Sequence, residues 1–221
     1  MAAALADVRA RIRAAGGADD VEILPVTKGF GPAAIVAAAA AGARAVGENY
    51  VQELIAKLDA LGAPGGLGDA VDLPAVHLIG QLQTNKVRHT VGRVAVYETV
   101  DRASLATELA KRAPGATVLI QVSTNPEPGK GGCPLDQLDP LVDHVRALGL
   151  ALDGLMTVGP TPGELAGAGP DAARPGFRAV RSAVDRLGLR TCSMGMSGDL
   201  EVAVAEGATR VRIGTALFGA R

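Results

Sequence analysis

The sequence predicts a (β/α)8 barrel of the TIM type with an extra helix before its first strand. Eight short apolar runs with strand character alternate with Ala- and Leu-rich segments of helical character along the 221 residues. Continuous apolar strands separated by helices are typical of a parallel sheet covered on both faces, and eight such units favour closure into a barrel. No linker divides the chain, so we expect one domain over residues 1–221.

The elements follow one another in a regular order. Leu5, Val8 and Ile12 recur at helical spacing, and Gly16-Gly17 ends this first helix near residue 15. The predicted strands are 21–27, 43–46, 76–79, 94–100, 117–122, 150–158, 190–193 and 209–213. The predicted helices between them are 32–41, 51–61, 85–91, 104–111, 135–148, 175–187 and 197–206.

An open, doubly wound sheet is the alternative architecture. It is disfavoured because no Gly-x-Gly-x-x-Gly follows the first strand, where a dinucleotide-binding fold would place it. Three segments rich in Gly, Pro and Ala, residues 62–73, 123–134 and 159–174, are predicted to be surface loops.

Composition argues for a small-molecule partner. A net charge of −1 and five aromatic residues disfavour nucleic acid and anionic membranes, which favour a basic surface or aromatic stacking. No apolar stretch is long enough to span a membrane, and charges interrupt the N-terminus too early for a signal peptide. Cys133 and Cys192 are isolated, without metal-ligand spacing. We therefore expect a cytoplasmic protein with no metal site.

The last two predicted strands end in small, polar residues. The segment from Ser193 to Ser197 follows the seventh strand, and Gly214-Thr215 follows the eighth. In barrels, ligands bind at the C-terminal ends of strands, and this position favours a phosphate site. The alternative is that Ser197 only caps a helix and Gly214 only turns the chain.

Lys28 closes the first apolar strand, whereas the other four lysines lie in polar or loop-like surroundings. Partial burial lowers the pKa of an amine, so Lys28 is a candidate nucleophile for a carbonyl. The alternative is a lysine that marks the strand end and extends to solvent. Arg212, inside the last strand, requires a ligand or a carboxylate partner such as Glu48. His77 is expected to be a satisfied core residue, and His89 and His144 are expected at the surface.

Five motifs together resemble the pyridoxal phosphate homeostasis proteins, the YggS/PROSC family. They are Pro25-Val26-Thr27-Lys28, the seven residues from Gly47 to Glu53, the ten from His77 to Lys86, the five from Ser193 to Ser197, and the nine from Val211 to Gly219. They occur in the family's order from about residue 20 to residue 220. The resemblance implies a barrel like the N-terminal domain of alanine racemase, with pyridoxal 5′-phosphate (PLP) held as a Schiff base.

The resemblance also implies roles for individual residues. Lys28 matches the Schiff-base lysine, Asn49 a position beside the cofactor ring, and Arg212 the arginine facing the pyridine nitrogen. The positions that match the stretches holding the phosphate are Ser193, Met194, Met196, Ser197, Gly214 and Thr215.

Three functions remain open from the sequence. The favoured one is a non-catalytic PLP carrier in PLP homeostasis, expected to be a monomer that buffers PLP or delivers it to apo PLP-dependent enzymes. The alternative is a PLP-dependent racemase, which needs a second proton donor. In the racemases that the family resembles, a tyrosine of an additional C-terminal domain supplies it, whereas the only tyrosines here are Tyr50 and Tyr97. The third is an aldolase-like barrel that uses Lys28 on a sugar-phosphate carbonyl.

Overall fold

The computed structural model describes residues 1–63, 72–125, 131–160 and 169–219, and within these ranges the strands belong to one sheet. The strands are β1 (Glu22–Pro25), β2 (Ala45–Glu48), β3 (Ala75–Leu78), β4 (Val96–Val100), β5 (Thr117–Ser123), β6 (Cys133–Pro134), β7 (Ala151–Thr157), β8 (Thr191–Ser193) and β9 (Arg210–Ile213). All the pairings recorded between them are parallel, which agrees with helices connecting successive strands.

Helices separate these strands. The α-helices are α1 (Ala2–Ala14), α2 (Ala33–Ala40), α3 (Val51–Leu61), α4 (Ala103–Arg112), α5 (Leu138–Ala147), α6 (Arg174–Arg186), α7 (Leu200–Ala205) and α8 (Thr215–Phe218). Short 3₁₀ helices cover Thr84–His89, Leu135–Gln137 and Pro170–Ala173. No helix of the described residues is long and apolar enough to cross a membrane.

The strands form a nearly closed barrel. The hydrogen-bonded order is β1-β9-β8-β7-β5-β4-β3-β2, and β6 is a two-residue strand that pairs with β5 at one side of this path. Between β1 and β2, a single bridge joins Val26 to Gly47. The eight predicted strands and the extra N-terminal helix are therefore confirmed, and the open doubly wound alternative is not what the chain adopts.

Strand β2 lies two residues further along the chain than its sequence suggests. We expected it to end at Val46, but Gly47 and Glu48 continue the ladder opposite His77 and Leu78. A carboxylate is disfavoured in a buried strand unless it is paired, and Glu48 has a lysine partner from α3. This pairing allows the strand to include Glu48.

Other differences are local. Helix α7 begins at Leu200 rather than at residue 197, because the Asp199 carboxylate accepts a hydrogen bond from the Met196 N–H at 2.6 Å and forms a turn first. Strand β6 and helix α8 were not predicted, since two and four residues are too few for a periodic signal. Residues 64–71, 126–130 and 161–168, each part of one of the three predicted loops, lie outside the described residues.

Apolar side chains from both layers form the core. Leu24, Ile120 and Val211 are fully buried on the strands, and Leu54 and Leu109 are fully buried on the helices. The burial of such side chains from water is the main stabilising contribution.

Helix α1 is part of the packed structure. Val8 and Ile12 are buried, and the helix packs against α7 and α8. Arg11 on this helix forms a bidentate ion pair with Glu201 of α7 and donates a hydrogen bond to the Ser197 carbonyl at 3.0 Å. The extra helix is thus connected to the loop that follows β8.

Candidate functional site

A cavity of about 560 Å³ opens at the C-terminal ends of β1 and β9, where a barrel binds ligands. Side chains and backbone from four strand-end segments line it. The lining residues are Val26, Lys28, Ile79, Met196, Ser197, Gly198, Arg212, Gly214 and Thr215. Six of the nine predicted site residues are therefore found in one cavity.

Lys28 reaches this cavity from the end of β1. It is half-buried, and it follows Val26 and Thr27, which are buried and join the backbone of β2. The apolar strand therefore places an amine at the cavity, as the sequence predicted.

Small and hydroxyl-bearing residues occupy the side of the cavity between β8 and β9. Ser197 and Gly198 belong to the turn that precedes α7, Gly214 joins β9 to α8, and Thr215 is the first residue of α8. Ser197 does not cap α7, because Asp199 occupies the N-cap position. Hydroxyl groups and backbone N–H groups at such positions are donors suited to a phosphate.

Arg212 lines the cavity although only 4% of it is exposed. Its Nη1 donates to Ser193 Oγ at 2.9 Å, and its Nη2 donates to the Thr157 carbonyl at 2.7 Å. Burial lowers the pKa of the Arg212 guanidinium, and the negative charges of Glu98 and Asp199 oppose this shift. The two hydrogen bonds hold the planar guanidinium in one orientation.

The alternative in which Arg212 pairs with Glu48 is wrong, because Arg212 bonds to Ser193 and Thr157 instead. Through Ser193, whose hydroxyl donates to Glu98 Oε2 at 2.6 Å, Arg212 is connected to Glu98 instead. Their shared contacts with Ser193 place Glu98 of β4 and Arg212 of β9 on the same side of the sheet, whereas Glu48 of β2 pairs with Lys57 of helix α3. Strand register cannot be read from the sequence alone, which explains the error.

Glu98 is the central charge beneath the cavity. Its Oε1 is 2.8 Å from His77 Nδ1 and 2.9 Å from Arg210 Nη1. Burial by itself raises the pKa of Glu98, but the hydrogen bond from His77 and the positive charges of Arg210, His77 and Arg212 lower that pKa to about 2. The expectation that His77 is a satisfied core residue is confirmed.

The sequence reasoning missed Glu98 and Lys57. Glu98 is a charged residue inside the apolar run 94–100, and that contrast was the available signal. We expected Lys57 to have polar or loop-like surroundings, but only 4% of its side chain is exposed and it pairs with Glu48 and Glu53. The error arose because a lysine on an amphipathic helix is usually solvated.

Three predicted site residues lie outside the lining of this cavity. Ser193 and Met194 are fully buried beneath the cavity. Ser193 contacts Arg212, which lines the cavity. Asn49 lines a neighbouring cavity of about 220 Å³ that shares Ile79 with the first. The Asn49 Oδ1 atom is buried and has no hydrogen-bond partner in the part of the chain that the structure describes.

A family model described as the N-terminal domain of alanine racemase matches residues 2–221. The chain is 40% identical to a pyridoxal phosphate homeostasis protein of Pseudomonas aeruginosa, over 98% of the chain and 94% of that protein. It is 39% identical to one of Aquifex aeolicus, over 95% and 91%. Another from Escherichia coli K12 is 38% identical, over 98% and 95%.

Solved structures agree with these sequence matches. PipY of Synechococcus elongatus without PLP superposes with a TM-score of 0.82 at 32% identity, over 99% of both chains. The PipY structure with PLP bound gives 0.79 at 31% identity, over 96% of this chain and all of the other. An alanine racemase of Clostridium difficile gives 0.72 at 12% identity over 55% of its length, a likeness of fold alone.

Proposed function

The chain belongs to the pyridoxal phosphate homeostasis proteins, which have the alanine racemase N-terminal domain, and from this we propose that it binds PLP through Lys28. Its role is then to hold the cofactor reversibly and to take part in intracellular PLP homeostasis by buffering or delivery. The observation that carries the proposal is the joint presence of Lys28, Arg212, Ser197 and Thr215 in one cavity.

The cavity suits PLP in size and in its donor groups. A volume of about 560 Å³ lies within the range of small-molecule sites. Ser197 and Thr215 offer hydroxyl groups for a phosphate, and a Cβ added at Gly198 would meet nothing within 4 Å, which leaves room for a ligand near this backbone. The buried Asn49 Oδ1 can accept a hydrogen bond from a ligand or a water molecule at the edge of the cavity.

Lys28 and Arg212 would have different roles toward the cofactor. When PLP is bound, its aldehyde carbon accepts the Lys28 amine with loss of one water, which gives a reversible Schiff base. Arg212 donates hydrogen bonds and cannot accept a proton, so a guanidinium facing the pyridine nitrogen keeps that nitrogen unprotonated. Thr157 and Ser193 hold Arg212 in place for this contact.

These features support a carrier rather than a racemase. An unprotonated ring nitrogen withdraws electrons weakly, which disfavours the carbanion chemistry of racemization. Tyr50 is 58% exposed and Tyr97 is buried with its hydroxyl 3.0 Å from Thr90 Oγ1, and neither lines the cavity. The placement of the two tyrosines therefore offers no second proton donor beside Lys28.

A PLP titration with two lysine variants tests the binding proposal. Wild type is expected to develop a visible absorbance band on incubation with PLP, and Lys28→Ala is expected not to. Lys111→Ala is the matched control, because Lys111 is exposed on α4 and should leave the band unchanged. A wild-type protein that stays colourless would contradict the proposal and favour the aldolase-like reading of Lys28.

Two further assays separate the carrier from an enzyme. The PLP-loaded protein should reactivate an apo PLP-dependent enzyme, and it should not interconvert D- and L-alanine. Robust racemization by the isolated chain would overturn the carrier proposal. We further propose that the protein acts as a cytoplasmic monomer, and its sedimentation equilibrium as a function of concentration checks the oligomeric state.

A further inference from the structure

Lys57 of helix α3 is a buried ammonium with three acceptors. Its Nζ lies 2.8 Å from the Thr27 carbonyl oxygen and 2.6 Å from both Glu48 Oε1 and Glu53 Oε1. Three acceptors match the three protons of an ammonium group. Lys57 Nζ therefore connects the segment that follows β1 with strand β2 and the first turn of α3.

Lys57, Glu48 and Glu53 form a charged network, and its hydrogen bonds to the backbone lie on both sides of Lys28. Before it, Thr27 is held twice, because its carbonyl accepts from Lys57 and its Oγ1 donates to Glu48 Oε1 at 2.6 Å. After it, the Gly29 N–H donates to Glu53 Oε1 at 2.5 Å. Both peptide groups that flank Lys28 therefore form a hydrogen bond within this network. One bonds to Lys57, and the other bonds to the Glu53 carboxylate that Lys57 contacts.

The network also lies where the backbone pairing between β1 and β2 is sparse. Within the described ranges, β1 and β2 share one bridge, Val26 to Gly47, and the Thr27 N–H donates to the Gly47 carbonyl at 3.0 Å. On the β2 side, the C-terminal end of β1 therefore has few backbone restraints, although its other side pairs with β9. The charged groups supply additional restraints at the same place.

The energetics favour a positioning role over a purely stabilising one. Glu48 is fully buried and Lys57 nearly so, and removing two charges from water costs several kcal/mol per ion. Burial raises the pKa of Glu48, and hydrogen bonds from Lys57 and Thr27 oppose that shift. Replacing a buried ion pair by apolar residues of similar volume often leaves the stability unchanged or raises it. We therefore explain this pair by the geometry that it imposes on the backbone.

We propose that Lys57, Glu48 and Glu53 position Lys28 for the capture of PLP by holding the backbone on both sides of it. The inference rests on the proposed function, because it assigns these residues a role in the reaction of the Lys28 amine. None of the three lines the main cavity. They are therefore positioning residues, which act through Thr27 and Gly29.

Glu53 offers the mildest test, because its side chain is 26% exposed. Glu53→Ala removes the acceptor for the Gly29 N–H, whereas Glu53→Gln keeps an acceptor oxygen at that place. The rate at which the visible band appears after mixing with PLP should fall roughly tenfold to a hundredfold in Glu53→Ala, since small misplacements of a reacting group have effects of this size. Glu53→Gln should restore most of the rate.

A second probe separates positioning from general damage to the site. The alcohol analogue of PLP, with a hydroxymethyl group in place of the aldehyde, binds through the phosphate and ring contacts without reacting with Lys28. Its affinity, measured by calorimetry, should be the same in wild type, Glu53→Ala and Glu53→Gln. The double variant Lys57→Met/Glu48→Gln removes both buried charges together and should reproduce the slow capture.

The outcomes are distinguishable from a failure of the proposed function. If wild type does not capture PLP, the proposed function is wrong. If wild type captures PLP and both the Glu53→Ala and the double variant capture it equally fast, the positioning role is overturned while the function stands. Equal losses of PLP capture and of analogue affinity in Glu53→Ala would also overturn it, because they indicate a damaged site. If the double variant does not fold, the Ala and Gln variants at position 53 decide the question.

Discussion

Glu98 shows how a single buried carboxylate can organise a ligand site that it does not touch. It accepts hydrogen bonds from His77, Arg210 and Ser193, and Ser193 in turn accepts one from Arg212 at the cavity. Each of these polar groups therefore has a hydrogen-bond partner, and a buried polar group without one would be costly. The orientation of Arg212 is therefore set from the barrel interior.

The charge of Glu98 predicts how stability depends on pH. Its pKa falls from 4.5 to about 2 on folding, so its ionised form contributes stability that is complete above pH 4.5 and is lost as the pH falls toward 2. Glu98→Gln removes this contribution. The difference in unfolding free energy between wild type and Glu98→Gln, measured with urea at several pH values, should shrink across that interval. A difference that stays constant would show that folding does not lower the pKa of Glu98.

At the scale of elements, the strand ends decide where functional groups meet. The Gly80 segment after β3 passes so close to β2 that a Cβ added at Gly80 would lie 2.2 Å from the Asn49 carbonyl oxygen. Contacts with backbone atoms at this distance cannot be relieved by a rotamer change. A glycine is therefore required where β2 and β3 leave the barrel beside Asn49.

Gly80→Ala should consequently destabilise the fold by several kcal/mol, an effect of the order seen for overpacking and backbone clashes (~1–3 kcal/mol or more). Gly31→Ala is the control, because a Cβ there meets nothing within 4 Å and its φ is not positive. It should be neutral or slightly stabilising. Urea unfolding measures both variants, and equal stabilities for the two would contradict the close approach of the segments.

The positions of the elements were more predictable than their contacts. Apolar runs that alternate with helical segments indicated all eight strands of the barrel, and the position of Lys28 after β1 indicated its place at the cavity. The partners of Arg212, Glu48 and Lys57 were not predictable, because they depend on which strand faces which across the barrel and on helix rotation. The start of α7 was also missed, since the Asp199 turn before it resembles a first helical turn in sequence.

At the scale of the whole molecule, the N-terminal helix belongs to the same packed unit as the ligand cavity. Ile12 of α1 is fully buried, and Arg11 contacts both Glu201 of α7 and the carbonyl of Ser197, which lines the cavity. The extra helix is thus held in place by its packing against the rest of the protein. The helix supports the turn before α7 and the barrel together.

Ile12→Ala should therefore lower the stability of the whole protein by about 2–5 kcal/mol, as for other large-to-small core changes. Arg13→Ala is the control on the same helix, because Arg13 pairs with Asp19 at the exposed surface and its removal should change the stability little. Loss of helical circular dichroism and loss of the PLP band should coincide in both variants. Separate transitions would show that α1 unfolds independently of the barrel.

Chemical trapping of the link between PLP and Lys28 shows whether the cofactor is held covalently there. Reduction of the PLP-loaded protein with borohydride, followed by proteolysis and mass spectrometry, should place the pyridoxyl group on the peptide that contains Lys28. The other lysines, residues 57, 86, 111 and 130, should remain unmodified. Stoichiometric labelling at one of those positions, with Lys28 unmodified, would contradict the account.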